Sequence, residues 1–160
     1  MAQNETMAYT ILLPSGKAWQ FFYPQEVKSF ISSPSPGMAL KEPGFYEISG
    51  LAWSGNGRIE KVEVSADGGK SWALAALQAP VLSKALTRFR MPWNWNGGPS
   101  VLMSRATDEA GNLQPSRAAF IAERGAPKNS PNVNAFPMEH CNLISSWGVS
   151  AKGEVTNVYV

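Results

Sequence analysis

GLAWSGNGRIEKVEVSADGGKSW, residues Gly50 to Trp72, is the stretch whose reading decides the fold. Two strand-like runs meet at Gly55-Asn56-Gly57, residues that accept positive φ at little steric cost, so a hairpin reversal is expected there. Val62 and Val64 alternate with Glu63 and Ser65, the period of a strand with one buried face. Ile59 is out of phase with them by one residue, which predicts a bulge near Glu60 and Lys61. Asp67-Gly68-Gly69 marks a second turn, and Trp72 stands where the next strand opens. Trp53 and Trp72 then fall near strand ends, placed to close a core from two sides. The stretch holds no nucleophile, metal-ligand cluster or phosphate loop. It is architecture.

Strand signals recur on both sides of this centre. Tyr46 and Ile48 alternate with Glu47 and Ser49, and Ala73 to Leu77 reads as a strand closed by Pro80. Ala85 to Met91 puts Phe89 and Met91 on one face, with Arg88 and Arg90 on the other. Pro92 to Pro99 reads as a turn-rich connection, Val101 to Thr107 as a strand, Asp108 to Asn112 as a turn and Ala118 to Ala122 as a further strand. Residues 124 to 141 hold three of the twelve prolines without periodicity and read as a loop. Gly153 to Val160 is the expected final strand. No run of more than ten residues carries the stripe of an amphipathic helix. Seven or so short strands with turns between them describe an all-β, immunoglobulin-like (E-set) sandwich.

The first forty residues differ. Ile11 to Leu13 and Trp19 to Tyr23 flank a Pro14-Ser15-Gly16 turn, and Val27 to Ile31 reads as a strand. Residues 32 to 38, SSPSPGM, read as an extended linker because Pro34 and Pro36 restrict the backbone. The expected division is therefore an extended N-terminal arm, 1–40, and a sandwich, 41–160.

Composition narrows function by exclusion. A net charge of +2 with no basic run argues against a nucleic-acid binder. No apolar run reaches the length of a membrane span, and the first residues do not read as a secretory signal. With 44% apolar and only 16% charged residues, and six tryptophans, either the core is unusually aromatic or part of the surface is covered by a partner. Trp93, Trp95 and Trp147 are the candidates for such an interface, with the Trp93/Trp95 pair an alternative sugar- or protein-binding platform.

His140 is the single histidine and adjoins Cys141, the single cysteine. Two ligands fall short of a zinc set, and neighbours on an extended chain do not face each other as a nucleophile and base must. Asp67 and Asp108 sit in glycine turns, where a carboxylate accepts nearby N–H groups. Arg88, Arg90, Arg105 and Arg117 read as solvated faces or interface ion pairs. No catalytic residue and no metal site is assigned.

The run Gly50 to Trp72 closely resembles the opening of the C-terminal dimerisation domain of molybdenum-cofactor sulfite oxidases. PVLSKALTRFRMPWNWNGGPSVLMSRATDEAGNLQPSRAA and HCNLISSWGVSAKGEVTNV are similar to the sulfane dehydrogenase branch of that family, from the thiosulfate-oxidising Sox system. YTILLPSGKAWQFFYPQEVKSFISSPSPG resembles the segment joining the cofactor domain to the dimerisation domain there. The resemblance implies a homodimer, a molybdopterin domain elsewhere, a c-type cytochrome as electron acceptor and a periplasmic setting. It implies no cofactor bound by this chain, and Cys141 does not match the molybdenum-ligating cysteine. The chain then reads as a fragment, a truncated reading frame or half of a split subunit, and is expected to be inactive alone. Family members place a basic residue seven positions before a tryptophan in the anion pocket; counting back from Trp147 gives His140 as the substrate-pocket candidate.

Overall fold

The computed structural model describes residues 10–12, 15, 17–21, 23–124 and 141–160, with the strands before residue 22 described as backbone only. The elements are β1 (Thr10–Leu12), β2 (Ala18–Phe21), β3 (Lys28–Ser33), β4 (Gly44–Trp53), β5 (Ile59–Ser65), β6 (Ala73–Leu74), β7 (Ala76–Leu77), β8 (Thr87–Trp95), β9 (Ser100–Asp108), helix α1 (Arg117–Arg124), β10 (Ser146–Val149) and β11 (Val155–Val158). A four-stranded sheet of order β3-β4-β8-β7 packs on a five-stranded sheet of order β11-β10-β9-β5-β6. Every pair within them is antiparallel. This is the immunoglobulin-like sandwich that the strand spacing predicts, with β1 and β2 paired as a separate hairpin.

The core lies between the sheets. Ile48 and Phe89 from one sheet and Val62, Leu102 and Ala106 from the other are completely enclosed. The bulge falls as expected: the β5–β9 register shifts between Ile59 and Lys61, which brings Ile59 onto the buried face with Val62 and Val64.

Five local expectations need correction. Gly55-Asn56-Gly57 does not close a hairpin: β4 and β5 lie in different sheets. The connection is bonded to its neighbours, Gly55 N–H to the Gln25 carbonyl at 2.6 Å and Lys84 N–H to the Gly57 carbonyl at 3.0 Å. Ala73 to Leu77 is split, with β6 on β5 and β7 on β8 and buried Ala75 between them at the crossing. Pro92 to Trp95 is strand, not turn. Proline is tolerated there because β7 pairs only Arg90 and Phe89 of β8, so the position of the missing N–H faces no neighbour strand.

Ala118 to Ala122 is helical, within α1. Ser116 starts it, its Oγ accepting the Ala119 N–H at 3.1 Å and its carbonyl the Phe120 N–H at 2.9 Å. An alanine-rich octapeptide with a single buried apolar residue, Phe120, has no alternating face to hold a strand in place.

Residues 32–38 are a fastened strap rather than a loose linker. Gly37 N–H bonds the Val155 carbonyl (3.1 Å), Val155 N–H bonds the Met38 carbonyl (2.9 Å), and Leu40 N–H bonds the Gly153 carbonyl (2.9 Å). Gly153 is at φ +82°, and a Cβ there would run into the Leu40 carbonyl. With β3 paired along β4 and Val27, Ile31 and Leu40 in the core, the sandwich takes in residues from Val27 onward, inside the stretch read as arm.

Candidate interaction surfaces

The described tryptophans do not line an outer wall. β8 turns Phe89, Met91, Trp93 and Trp95 inward, and Trp95 is 3% exposed. Its Nε1 donates to the Gly98 carbonyl at 2.7 Å. Trp93 packs half-buried beside it, ring centroids 6.5 Å apart and planes at 40°, with Tyr46 completing the cluster. A sugar platform needs two open ring faces; these are spent on the core. Trp72 is half-buried under Arg105, whose guanidinium stands 4.3 Å from the ring centroid while bonding Glu63. The strongly exposed apolar side chains are Phe45, Leu74, Leu82, Leu86, Tyr23 and Tyr159 instead, with Phe45 84% exposed. Which aromatic residues face outward depends on strand phase, and β8 runs four residues past the end expected for it at Met91.

Trp147, the third candidate, is an edge cap. Its Nε1 donates to the Ile31 carbonyl at 2.8 Å. Asn142 Nδ2 likewise bonds the Val27 carbonyl at 3.2 Å. Gln114 takes the position between them, bonding both the N–H and the carbonyl of Ser29. These outward groups of β3 form its open edge, and three side chains from the other layer or its connections cover them. Sequence reading missed Gln114 and Asn142, since nothing near them in the chain marks a polar residue as buried.

His140 lies outside the described residues. Its neighbour Cys141 is half-buried, and its carbonyl accepts the Lys28 ammonium at 2.6 Å. That bond sets residue 141 beside the start of β3. At the same end of the sandwich, a polar cleft of about 340 Å³ is lined by Glu26, Asn56, Asn112, Arg124 and Asn142, among others. The Glu26 carboxylate holds the buried Arg124 guanidinium there. A wider apolar groove of about 810 Å³ adjoins it, lined by Tyr23, Trp53, Ala85 and Leu86 with Lys84 at its side.

The carboxylates serve turns. Asp108 is fully buried, and burial works to raise its carboxyl. Donation from Asn112, from Ser54 Oγ at 2.7 Å and from the Ala110 N–H outweighs that, leaving the group below the usual aspartate range. Asp67 is held far below that range by the Ser71 hydroxyl and N–H and by Ser65. Glu63 is lowered chiefly by its bond to Arg105. Among the described residues, no three His, Cys, Asp or Glu side chains come together as a metal set, and no helix is long and apolar enough to cross a membrane.

The family model for the Mo-co oxidoreductase dimerisation domain matches residues 18–130. The chain belongs to that family. This dimerisation domain is 36% identical over 102 residues to sulfite oxidase of Gallus gallus, covering 59% of this chain and 22% of that protein. Nitrate reductase [NAD(P)H] of Hordeum vulgare is 30% identical over 128 residues, covering 66% of this chain and 14% of that protein. The crystal structure of the sulfane dehydrogenase SoxCD from Paracoccus pantotrophus superposes with a TM-score of 0.83 at 45% identity, over 99% of this chain and 39% of that one. The chain thus spans about a fifth of the length of the sulfite oxidase it matches. The family is built around a molybdenum cofactor. Among the described residues, Cys141 is not part of any group of three His, Cys, Asp or Glu side chains.

Proposed function

We propose that this domain pairs the subunits of a molybdenum-cofactor sulfite or sulfane dehydrogenase and does no redox chemistry itself. The observation that carries the reading is the likeness to the sulfane dehydrogenase structure, which extends along essentially the whole chain at 45% identity. In this reading the oxidation of sulfite or protein-bound sulfane sulfur belongs to a molybdopterin domain. Electrons pass to a c-type cytochrome in the periplasm. The part of the 1–40 arm that precedes Val27 is the tail leading from that cofactor domain. His140 is the basic group offered to an anionic substrate, where a partly protonated imidazole attracts negative charge.

Size-exclusion chromatography with light scattering is the direct test of pairing. A dimer at micromolar concentration is expected, and a strict monomer overturns the role. For the anion pocket, His140→Ala in a full-length relative carrying this segment is expected to lower kcat/KM. An unchanged value removes the histidine from the proposal. The packing of Trp95 in the core and of half-buried Trp93 against it supports pairing over a sugar- or protein-binding platform on those two rings.

A further inference from the structure

We propose that the second copy docks along the outer edge of β11, so that two five-stranded sheets join into one across a two-fold axis. The inference rests on the pairing role above and names the surface that performs it.

The sandwich has four sheet edges. β6 and β7 are two residues long and offer almost no ladder. β3 is long, but its outward carbonyls at Val27, Ser29 and Ile31 are taken by Asn142, Gln114 and Trp147, and the Ser29 N–H by Gln114 as well. β11 remains. Its inner side is paired to β10, with Thr156 opposite Gly148 and Val158 opposite Ser146. Val155 gives its N–H and carbonyl to the Met38/Gly37 strap on the other side. Backbone direction alternates along an antiparallel strand, so Asn157 also points away from β10, and so does Tyr159 when the same phase is carried one residue past the strand's end at Val158. The strap does not reach them, and among the described residues no bond to their outward N–H or carbonyl groups is formed.

Such an edge is a template for another strand, and soluble proteins normally blunt it with lysine, proline or a bulge. VTNVYV, residues 155 to 160, contains none of these. Tyr159 is 65% and Val160 57% exposed. The outward sheet face beside them carries half-buried Gly148 and Val101, and the Arg117 guanidinium stands 5.4 Å from the Tyr159 ring centroid. A homodimerisation domain needs a self-complementary patch, and an antiparallel strand paired with its own copy is self-complementary by construction. With Asn157 and Tyr159 facing outward, the two-fold register sets Asn157 opposite the second copy's Tyr159 and Val158 opposite its own counterpart. The Val158 pair is then the non-hydrogen-bonded kind, with Cα atoms about 4.5 Å apart, within disulfide reach.

Two variants of the whole chain test this, read by light scattering and non-reducing electrophoresis. Asn157→Pro removes an outward N–H while leaving every bond to β10 in place. It is expected to raise the dimer dissociation constant roughly tenfold or more, since both copies lose a bond and the edge is blocked. Val158→Cys in a Cys141→Ser background is expected to give a disulfide-linked dimer on mild oxidation, whereas Leu74→Cys, on the exposed β6, is not. A wild-type dimer that persists unchanged in Asn157→Pro overturns the edge and leaves the pairing role standing. Should Asn157→Pro fail to fold, the Val158→Cys result decides, and absence of its cross-link overturns the proposal. A monomeric wild type overturns both this inference and the role it rests on.

Discussion

Gln114 holds Ser29 with both ends of one side-chain amide. Its Oε1 accepts the Ser29 N–H at 2.8 Å and the Ser29 hydroxyl at 2.7 Å, and its Nε2 donates to the Ser29 carbonyl at 3.2 Å. The same Oε1 also accepts the Ala106 N–H of β9 at 3.2 Å. One residue outside both sheets therefore imitates a strand along β3 and ties it to the opposite layer. All three residues are fully buried, so water cannot replace what Gln114 supplies.

Gln114→Ala leaves the N–H groups of Ser29 and Ala106 buried without an acceptor. At about 1–3 kcal/mol for each orphaned group, the loss of unfolding free energy is expected near 3 kcal/mol or above. Urea denaturation followed by tryptophan fluorescence measures it. A change within about 0.5 kcal/mol, the scale of an ordinary surface substitution, contradicts the clasp.

Asp108 makes stability depend on acid. Its carboxyl lies below the usual range in the folded protein, so the unfolded chain binds the proton more readily. The stabilisation is complete above the unfolded value, near pH 4 (about 3.9), and is lost as pH falls through the lower folded value. Asp108→Asn removes that proton linkage along with part of the Ser54 and Asn112 bonding. The variant is expected to be less stable at neutral pH and to show a shallower decline between about pH 4 and 2 in acid-unfolding curves. Parallel acid limbs for the two proteins count against this account.

Trp147→Phe separates edge capping from subunit contact. The ring survives, but the Ile31 carbonyl loses its donor. A cost of about 1–2 kcal/mol in unfolding free energy is expected, with the dimer dissociation constant unchanged. If association weakens while monomer stability holds, Trp147 belongs to the interface instead.

The alternating valines and out-of-phase Ile59 were enough for β5 and its bulge, because side-chain direction along a strand is a local property with a period of two. Recurrent turns were enough for an all-β sandwich, and the string from Gly50 to Trp72 pointed to the family. What the chain could not reveal is which strands are neighbours. The same Gly55-Asn56-Gly57 reverses a hairpin or crosses between sheets, depending on whether Gln25 and Lys84 arrive to bond it. Likewise a tryptophan faces the core or the partner according to one residue of strand phase, and Pro92 obscured that phase in β8. Above all, the capping of β3 by Gln114, Asn142 and Trp147 joins residues some 85 to 116 positions apart. Only the tertiary fold could decide that β3 is sealed and β11 left open, since hydrogen bonds between distant backbone segments have no imprint in local sequence.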